Sequence, residues 1–230
     1  MPYSVNENYM KNIKKILFIA DSNSLPRIEN KNFIRLEDTY VYKLKRFFRK
    51  KNFDIEQVTW GGLQTSQLIN FAVNHFVAWK PDYVVVHTGI NDVKTQLLNS
   101  SKSNKIIKIL EILNIKKNFF KNNFLYNNKL LKYHSISKSS VGSFLETIKK
   151  LKSSFLNSKI LWIGIHCDRR IDFQRFGTYK FINNYNEIIK KEFSENFIKI
   201  DPKKNLAHDG FHLSKRGHLN LFKELCLRIN

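Results

Sequence analysis

Four short stretches of this chain hold the residue types that attack on a carbonyl group requires. Ala20-Asp21-Ser22-Asn23-Ser24 offers a hydroxyl, and Trp60-Gly61-Gly62-Leu63-Gln64-Thr65 offers glycines that can hold unusual dihedrals and present a backbone N–H. His87-Thr88-Gly89-Ile90-Asn91-Asp92 offers a side-chain amide, and His208-Asp209-Gly210-Phe211-His212-Leu213-Ser214 places an acid and an imidazole three residues apart. A serine hydroxyl is a weak nucleophile until a neighbouring base removes its proton, so a histidine is the natural companion. Each stretch also has a plainer reading. Ser22 or Ser24 can cap a helix or complete a turn, Gly61-Gly62 can be a tight turn, Asn91 can cap the following helix, and Asp209 and His212 can share a surface loop.

The elements that would position these stretches are legible as alternating runs. Apolar segments of strand length recur at 15–20, 53–58, 83–87, 160–165 and 197–200. Between them, helical spacing covers 39–50, 65–79, 143–156, 179–193 and 214–227. Alternation of this kind predicts parallel strands joined by right-handed crossovers, with helices on both faces of the sheet. The continuous run Tyr83-Val84-Val85-Val86 suits a strand buried on both sides. In such sheets ligands bind outside the carboxyl ends of the strands, which is where three of the four stretches fall. The interval 97–140, rich in Lys, Asn and Ser with a helical pattern at Ile106 to Leu113, is too long for a simple connection. It reads as an insertion, helical in its first half, forming either a lid, a partner surface or polar filler.

Taken in order, the four stretches resemble the signature blocks of the SGNH (GDSL-like) hydrolase superfamily: Gly-Asp-Ser, a block-two glycine, Gly-x-Asn-Asp and Asp-x-x-His. Gly89-Ile90-Asn91-Asp92 followed by Asp209-Gly210-Phe211-His212 is the specific part of the match. The resemblance implies an α/β flavodoxin-like three-layer sandwich with a five-stranded parallel sheet and a helical insertion after the third strand. It further implies Ser22 as nucleophile, His212 as base and Asp209 as the acid that orients the imidazole. The oxyanion donors would be the Ser22 N–H, the Gly62 N–H and the Asn91 amide. Two departures occur: Ala20 stands where the family usually has glycine, and Gly61-Gly62 does not fit G-x-x-G spacing, so Gly61 is the alternative donor. Asp21 is read as support for the turn, and His208 as a neighbour of the base.

The implied activity is a serine esterase that removes an acyl group, acetyl being the one expected, from a carbohydrate or related small ester through a Ser-His-Asp triad. An O-acyltransferase acting on a sugar of a surface glycan uses the same serine, and a non-catalytic polyanion-binding relative keeps the same fold; family membership alone does not choose among them. Arg27 after the first strand and Arg169 and Arg170 after the fourth are candidate substrate-binding residues, since guanidinium groups there favour a carboxylate or phosphate. No cofactor is expected. Neither H-E-x-x-H nor another metal-ligand spacing occurs, so metal-independent activity is expected.

At 230 residues, with 42% hydrophobic and 13% aromatic side chains, the chain reads as one globular domain over 1–230. The two cysteines, Cys167 and Cys226, lack C-x-x-C spacing and read as free thiols. The short apolar run Ile16 to Ala20 is neither a signal segment nor a membrane span, and a cytoplasmic setting is expected. A net charge of +21 admits a polyanion partner. The lysines are nevertheless spread evenly beside asparagine and isoleucine, as in an AT-rich genome, so nucleic acid is not the expected partner. Oligomeric state has no signature in the sequence.

Overall fold

The computed structural model describes residues 13–28, 33–97, 127 and 135–229. Five strands, β1 (Lys14–Ala20), β2 (Phe53–Thr59), β3 (Tyr83–His87), β4 (Lys159–Ile163) and β5 (Phe197–Ile198), form one sheet in the order β2-β1-β3-β4-β5. Every pairing is parallel; β1 is an inner strand, with Ile16–Ala20 opposite Ile55–Thr59 on one side and Tyr83–His87 on the other. Five longer helices cover the sheet: α1 (Tyr40–Arg49), α2 (Thr65–Phe76), α3 (Val141–Ser154), α4 (Thr178–Phe193) and α5 (Lys215–Arg228). This is the three-layer α/β sandwich that the alternation of runs implies.

Side chains alternate across each strand, so the sheet feeds two cores. Leu17, Ile19, Val84, Val86 and Trp162 face α2, α3 and α4, meeting Leu68, Phe144, Ile148, Tyr185 and Ile189. Ile16, Phe18, Val85 and Leu161 face α1 and α5, meeting Tyr40, Leu44, Phe48, Leu221 and Leu225. Each such side chain, wholly removed from water, contributes about 1.5–3 kcal/mol of transfer free energy. The helices start where hydroxyls can cap them: Thr39 accepts from the Tyr42 N–H, Ser140 from Ser143 and Ser214 from Gly217.

Several boundaries differ from the sequence reading, for local reasons. The fourth strand ends at Ile163 rather than 165, because the Asn186 side chain takes over as the partner of Ile165, accepting from its N–H at 2.8 Å and donating to its carbonyl at 2.7 Å. The fifth strand stops at Ile198, having only β4 to pair with. The second helix stops at Phe76, where i→i−3 bonds from Trp79 and Lys80 tighten the chain into a turn that ends with Lys80 at φ +52°.

Of the interval 97–140, its helical pattern at Ile106 to Leu113 and any lid lie outside the described residues. What is described is its base. Thr95–Gln96 pairs antiparallel with Ile136–Ser137, bringing the two ends of the interval side by side. Among the described residues no helix is long and apolar enough to cross a membrane.

Candidate active site

Ser22 lies on the turn that leaves the carboxyl end of β1, in a single 3-10 turn spanning Ser22–Ser24. The turn is held from below by Asp21. Its buried carboxylate accepts from the Asn23 N–H at 2.9 Å and the Asn23 amide at 3.2 Å, while its own N–H donates to His87 O on β3. Burial raises the Asp21 carboxyl to about 6, against the pull of those hydrogen bonds and of the Lys94 charge. Ala20, where a glycine would be usual, is fully buried between Thr59 and His87 and is small enough for that place.

His212 arrives from the other end of the chain. Its Nε2 lies 3.0 Å from Ser22 Oγ and its Nδ1 lies 2.5 Å from Asp209 Oδ2. The other carboxylate oxygen of Asp209 accepts from the Phe211 and His212 N–H groups at 3.1 and 3.0 Å, so the acid shapes the very turn that presents the imidazole. Burial pushes the Asp209 carboxyl up, but the hydrogen bonds from the His212 ring and from these N–H groups outweigh it and hold the acid well below the ordinary carboxylate range. The Phe211 ring packs on the imidazole with centroids 4.0 Å apart.

This turn has a firm base. Gly210 takes φ +81°, and a Cβ there would stand 2.5 Å from Asp168 Oδ1, so only glycine fits. Ala207 N–H donates to His212 O, Asp168 N–H donates to Gly210 O, and Ser214 donates to Asn205 O through both its N–H and its hydroxyl. Arg170 closes the clasp: its guanidinium donates to the Asp168 carboxylate and, at 2.7 Å, to His208 O.

Asn91 sits on the short helix Ile90–Val93 that follows β3. Gly89 enters that helix at φ +124°, packed so closely that a Cβ would meet Ile165 at 2.6 Å. The Asn91 Nδ2 donates to Leu63 O at 3.1 Å and its Oδ1 accepts from Lys94 Nζ at 3.1 Å. The amide is thereby tied to the glycine-bearing loop after β2. In that loop Gly62 takes φ +82° with open space on its Cβ side, whereas a Cβ on Gly61 would contact Ser22 Cβ at 3.6 Å. Gly61 is thus the residue that lies against Ser22, and Gly62 makes the left-handed turn beside it.

The three arginines take different positions. Arg27 brings Nη2 within 3.7 Å of Asp209 Oδ2. Arg169 lies 5.8 Å from the centroid of the Tyr179 ring. Arg170 is engaged in the clasp just described. The remaining histidines lie elsewhere: His208 is exposed, while His87 contacts the Tyr40 hydroxyl at 2.9 Å and His166 contacts Gly164 O and Asn23 Oδ1. Burial lowers His87 well below the usual imidazole range and His166 to about 4.

Two participants have no role in the sequence reading. Buried Asp92 accepts from the Thr65 N–H (2.9 Å), the Thr65 hydroxyl (2.7 Å) and the Ser139 hydroxyl (2.5 Å), tying the start of α2 to residue 139. The Gly-x-Asn-Asp block carried that acid in plain view. Lys94, beyond the block, is marked by no motif.

An imidazole placed between a hydroxyl and a carboxylate can accept the hydroxyl proton and carry the resulting charge. A cavity of about 660 Å³ lies at the amino end of β4, lined by Lys159, Ile160, Phe155 and Phe193, and includes none of these site residues.

No protein-family model matches the sequence, and no curated protein does. Solved structures do resemble it. A lipase/acylhydrolase from Enterococcus faecalis superposes with a TM-score of 0.59 at 16% identity, covering 94% of this chain and 95% of that one. An acetylxylan esterase from Geobacillus stearothermophilus gives 0.58 at 18% identity, covering 94% of each chain. The psychrotrophic esterase EstA from Pseudoalteromonas sp. gives 0.55 at 12% identity, covering 94% and 96%. With its parallel sheet, its flanking helices and these neighbours, the chain has the fold of the SGNH hydrolases.

Proposed function

We propose that the protein is a serine esterase that removes an acetyl or similarly small acyl group from a carbohydrate or related small ester. The observation that carries this reading is the continuous contact from Ser22 Oγ through the His212 ring to Asp209, at 3.0 and 2.5 Å. In the acylation step His212 Nε2 takes the Ser22 proton as the oxygen attacks the ester carbonyl. Asp209 keeps Nδ1 protonated and stabilises the imidazolium. The tetrahedral oxyanion is met by the Ser22 N–H, the N–H of Gly62 or Gly61, and the Asn91 amide. The imidazolium then protonates the leaving alcohol, and water, activated by the same imidazole, releases the acid from Ser22. A sugar hydroxyl in place of water would make the reaction a transfer.

The substrate class is supported by the acetylxylan esterases among the structural neighbours. Arg27 beside Asp209, close to the His212 ring, favours an ester bearing an anionic group. The deciding experiment is release of p-nitrophenol from p-nitrophenyl acetate by the wild type and by Ser22→Ala, with and without sugar acceptors. Loss of turnover in the variant is expected, and acceptor stimulation would identify transfer. An inactive wild type, or an equally active variant, would overturn the reading in favour of a binding protein.

A further inference from the structure

Lys94 lies two residues beyond Asp92 and bridges the two halves of the site. Its ammonium is 3.1 Å from Asn91 Oδ1 and 5.3 Å from the centroid of the Phe211 ring, which itself packs on His212. A primary amide has two chemically opposite ends, and each end of Asn91 meets a group of fixed character. The Leu63 carbonyl can only accept, so it selects the nitrogen; an ammonium can only donate, so it selects the oxygen. A flipped amide would set carbonyl against carbonyl and NH₂ against NH₃⁺.

We propose that Lys94 is a positioning residue for the oxyanion hole: it holds the Asn91 amide with its nitrogen toward the reacting carbonyl and, as a cation, strengthens the remaining N–H as a donor. This rests on the ester-hydrolase reading above. Polarisation of an amide through its oxygen draws electron density from the nitrogen, so the N–H bound to the developing oxyanion becomes more acidic and binds it more strongly.

The charged groups facing Lys94 come from three segments: Asp21 and Arg27 after β1, Lys138 beside the Ile136–Ser137 strand, and Arg175 ahead of α4. Burial first, then repulsion by Arg175, Lys138 and Arg27, brings the Lys94 ammonium down to about 8 against the pull of Asp21. Above that pH the amine can accept as well as donate. The amide then loses both its polarity check and its polarisation.

The test is the pH profile of kcat/KM for p-nitrophenyl acetate in the wild type, Lys94→Arg and Lys94→Met, with rates of Ser22→Ala subtracted and thermal melts run in parallel. The wild type should decline above about pH 8. Lys94→Arg, a cation that does not titrate in this range, should stay within about threefold of the wild type at pH 7 and show no decline near 8. Lys94→Met should lose about tenfold or more at pH 7, part of the 10²–10³-fold that a lost oxyanion donor costs, and should also lack the decline. A Lys94→Met rate equal to wild type at pH 7, or a decline near pH 8 that persists in Lys94→Arg, overturns the proposal. Should Lys94→Met fail to fold, the Lys94→Arg profile decides alone. An inactive wild type or an equally active Ser22→Ala overturns the hydrolase reading instead, and the role of Lys94 with it.

Discussion

Arg27 Nη2 approaches the same carboxylate oxygen of Asp209, Oδ2, that receives the His212 Nδ1 proton, at 3.7 Å against 2.5 Å. The guanidinium stands beside that shared oxygen, a quarter exposed, where a substrate substituent can reach it. Replacing Arg27 by Met should raise KM for an ester carrying a carboxylate by about fivefold, the scale of one partly exposed charge contact, and leave KM for its neutral counterpart unchanged. Steady-state kinetics on the matched pair checks this; equal change on both esters would make Arg27 a support for Asp209 only.

Asp209→Asn should keep the turn but present an amide to Nδ1. One end of that amide accepts the Nδ1 proton and the other repels it, so the imidazole tautomer is no longer enforced. A loss of about 10³–10⁴-fold in kcat is expected, with KM little altered. Single-turnover acylation monitored by the p-nitrophenol burst would locate the loss in the chemical step.

The clasp beneath the His212 turn depends on glycine at the start of α5. A Cβ on Gly217 would stand 2.1 Å from Asn205 O, a backbone atom with no room to move. Gly217→Ala should destabilise the protein by about 1–3 kcal/mol and lower activity, because Asn205 also anchors Ser214. Gly142, exposed in α3 with nothing within 4 Å of its Cβ position, is the control. There the change to alanine should stabilise by up to about 1 kcal/mol. Paired thermal melts compare the two.

Buried histidines set the acid stability. His218 is lowered to about 3 by burial, with further repulsion from Lys43, His166 and His212; His166 is lowered to about 4, and His87 is lowered as well. The unfolded chain binds protons on these rings below the ordinary imidazole value of 6.5 while the folded chain does not, so stability falls as pH drops from 6.5 toward 4. Asp21, raised to about 6, and Asp92 act in the opposite direction over part of that window, leaving the histidines in excess. His218→Gln keeps an acceptor for the Tyr40 N–H without a titrating ring. Its unfolding free energy should fall less between pH 7 and 5, the difference reaching about 1.4 kcal/mol per pH unit, as denaturant melts at the two pH values would read.

The middle of the sheet was readable because β1 and β3 are buried on both faces: Ile16–Ala20 and Tyr83–Val86 are continuous apolar runs whose composition admits little else. The stretches bearing Ser22, Asn91 and His212 were readable because each follows a strand or precedes a helix that fixes its direction. Where a side chain stands in for backbone, as Asn186 does for the partner of Ile165, the strand end could not be read, since the replacement comes from 21 positions away. Arg169 and Arg170 are adjacent in sequence, yet one lies over a tyrosine ring and the other clasps Asp168; that division depends on carbonyls of the distant 207–208 segment. Lys94 carries no motif because its importance arises from one amide oxygen and one ring that only the folded chain brings to it.

The contact between Ser22 and His212 spans 190 positions. During synthesis β1 and the Ser22 turn leave the ribosome before β2, β3 and β4. Until His212 follows, the Ser22 hydroxyl has no imidazole at 3.0 Å, and the second core still lacks Leu221 and Leu225 of α5. On the proposed reading, the hydroxyl therefore gains its base only when the segment from Asn205 through α5, made after all five strands, docks against the turn that follows β1.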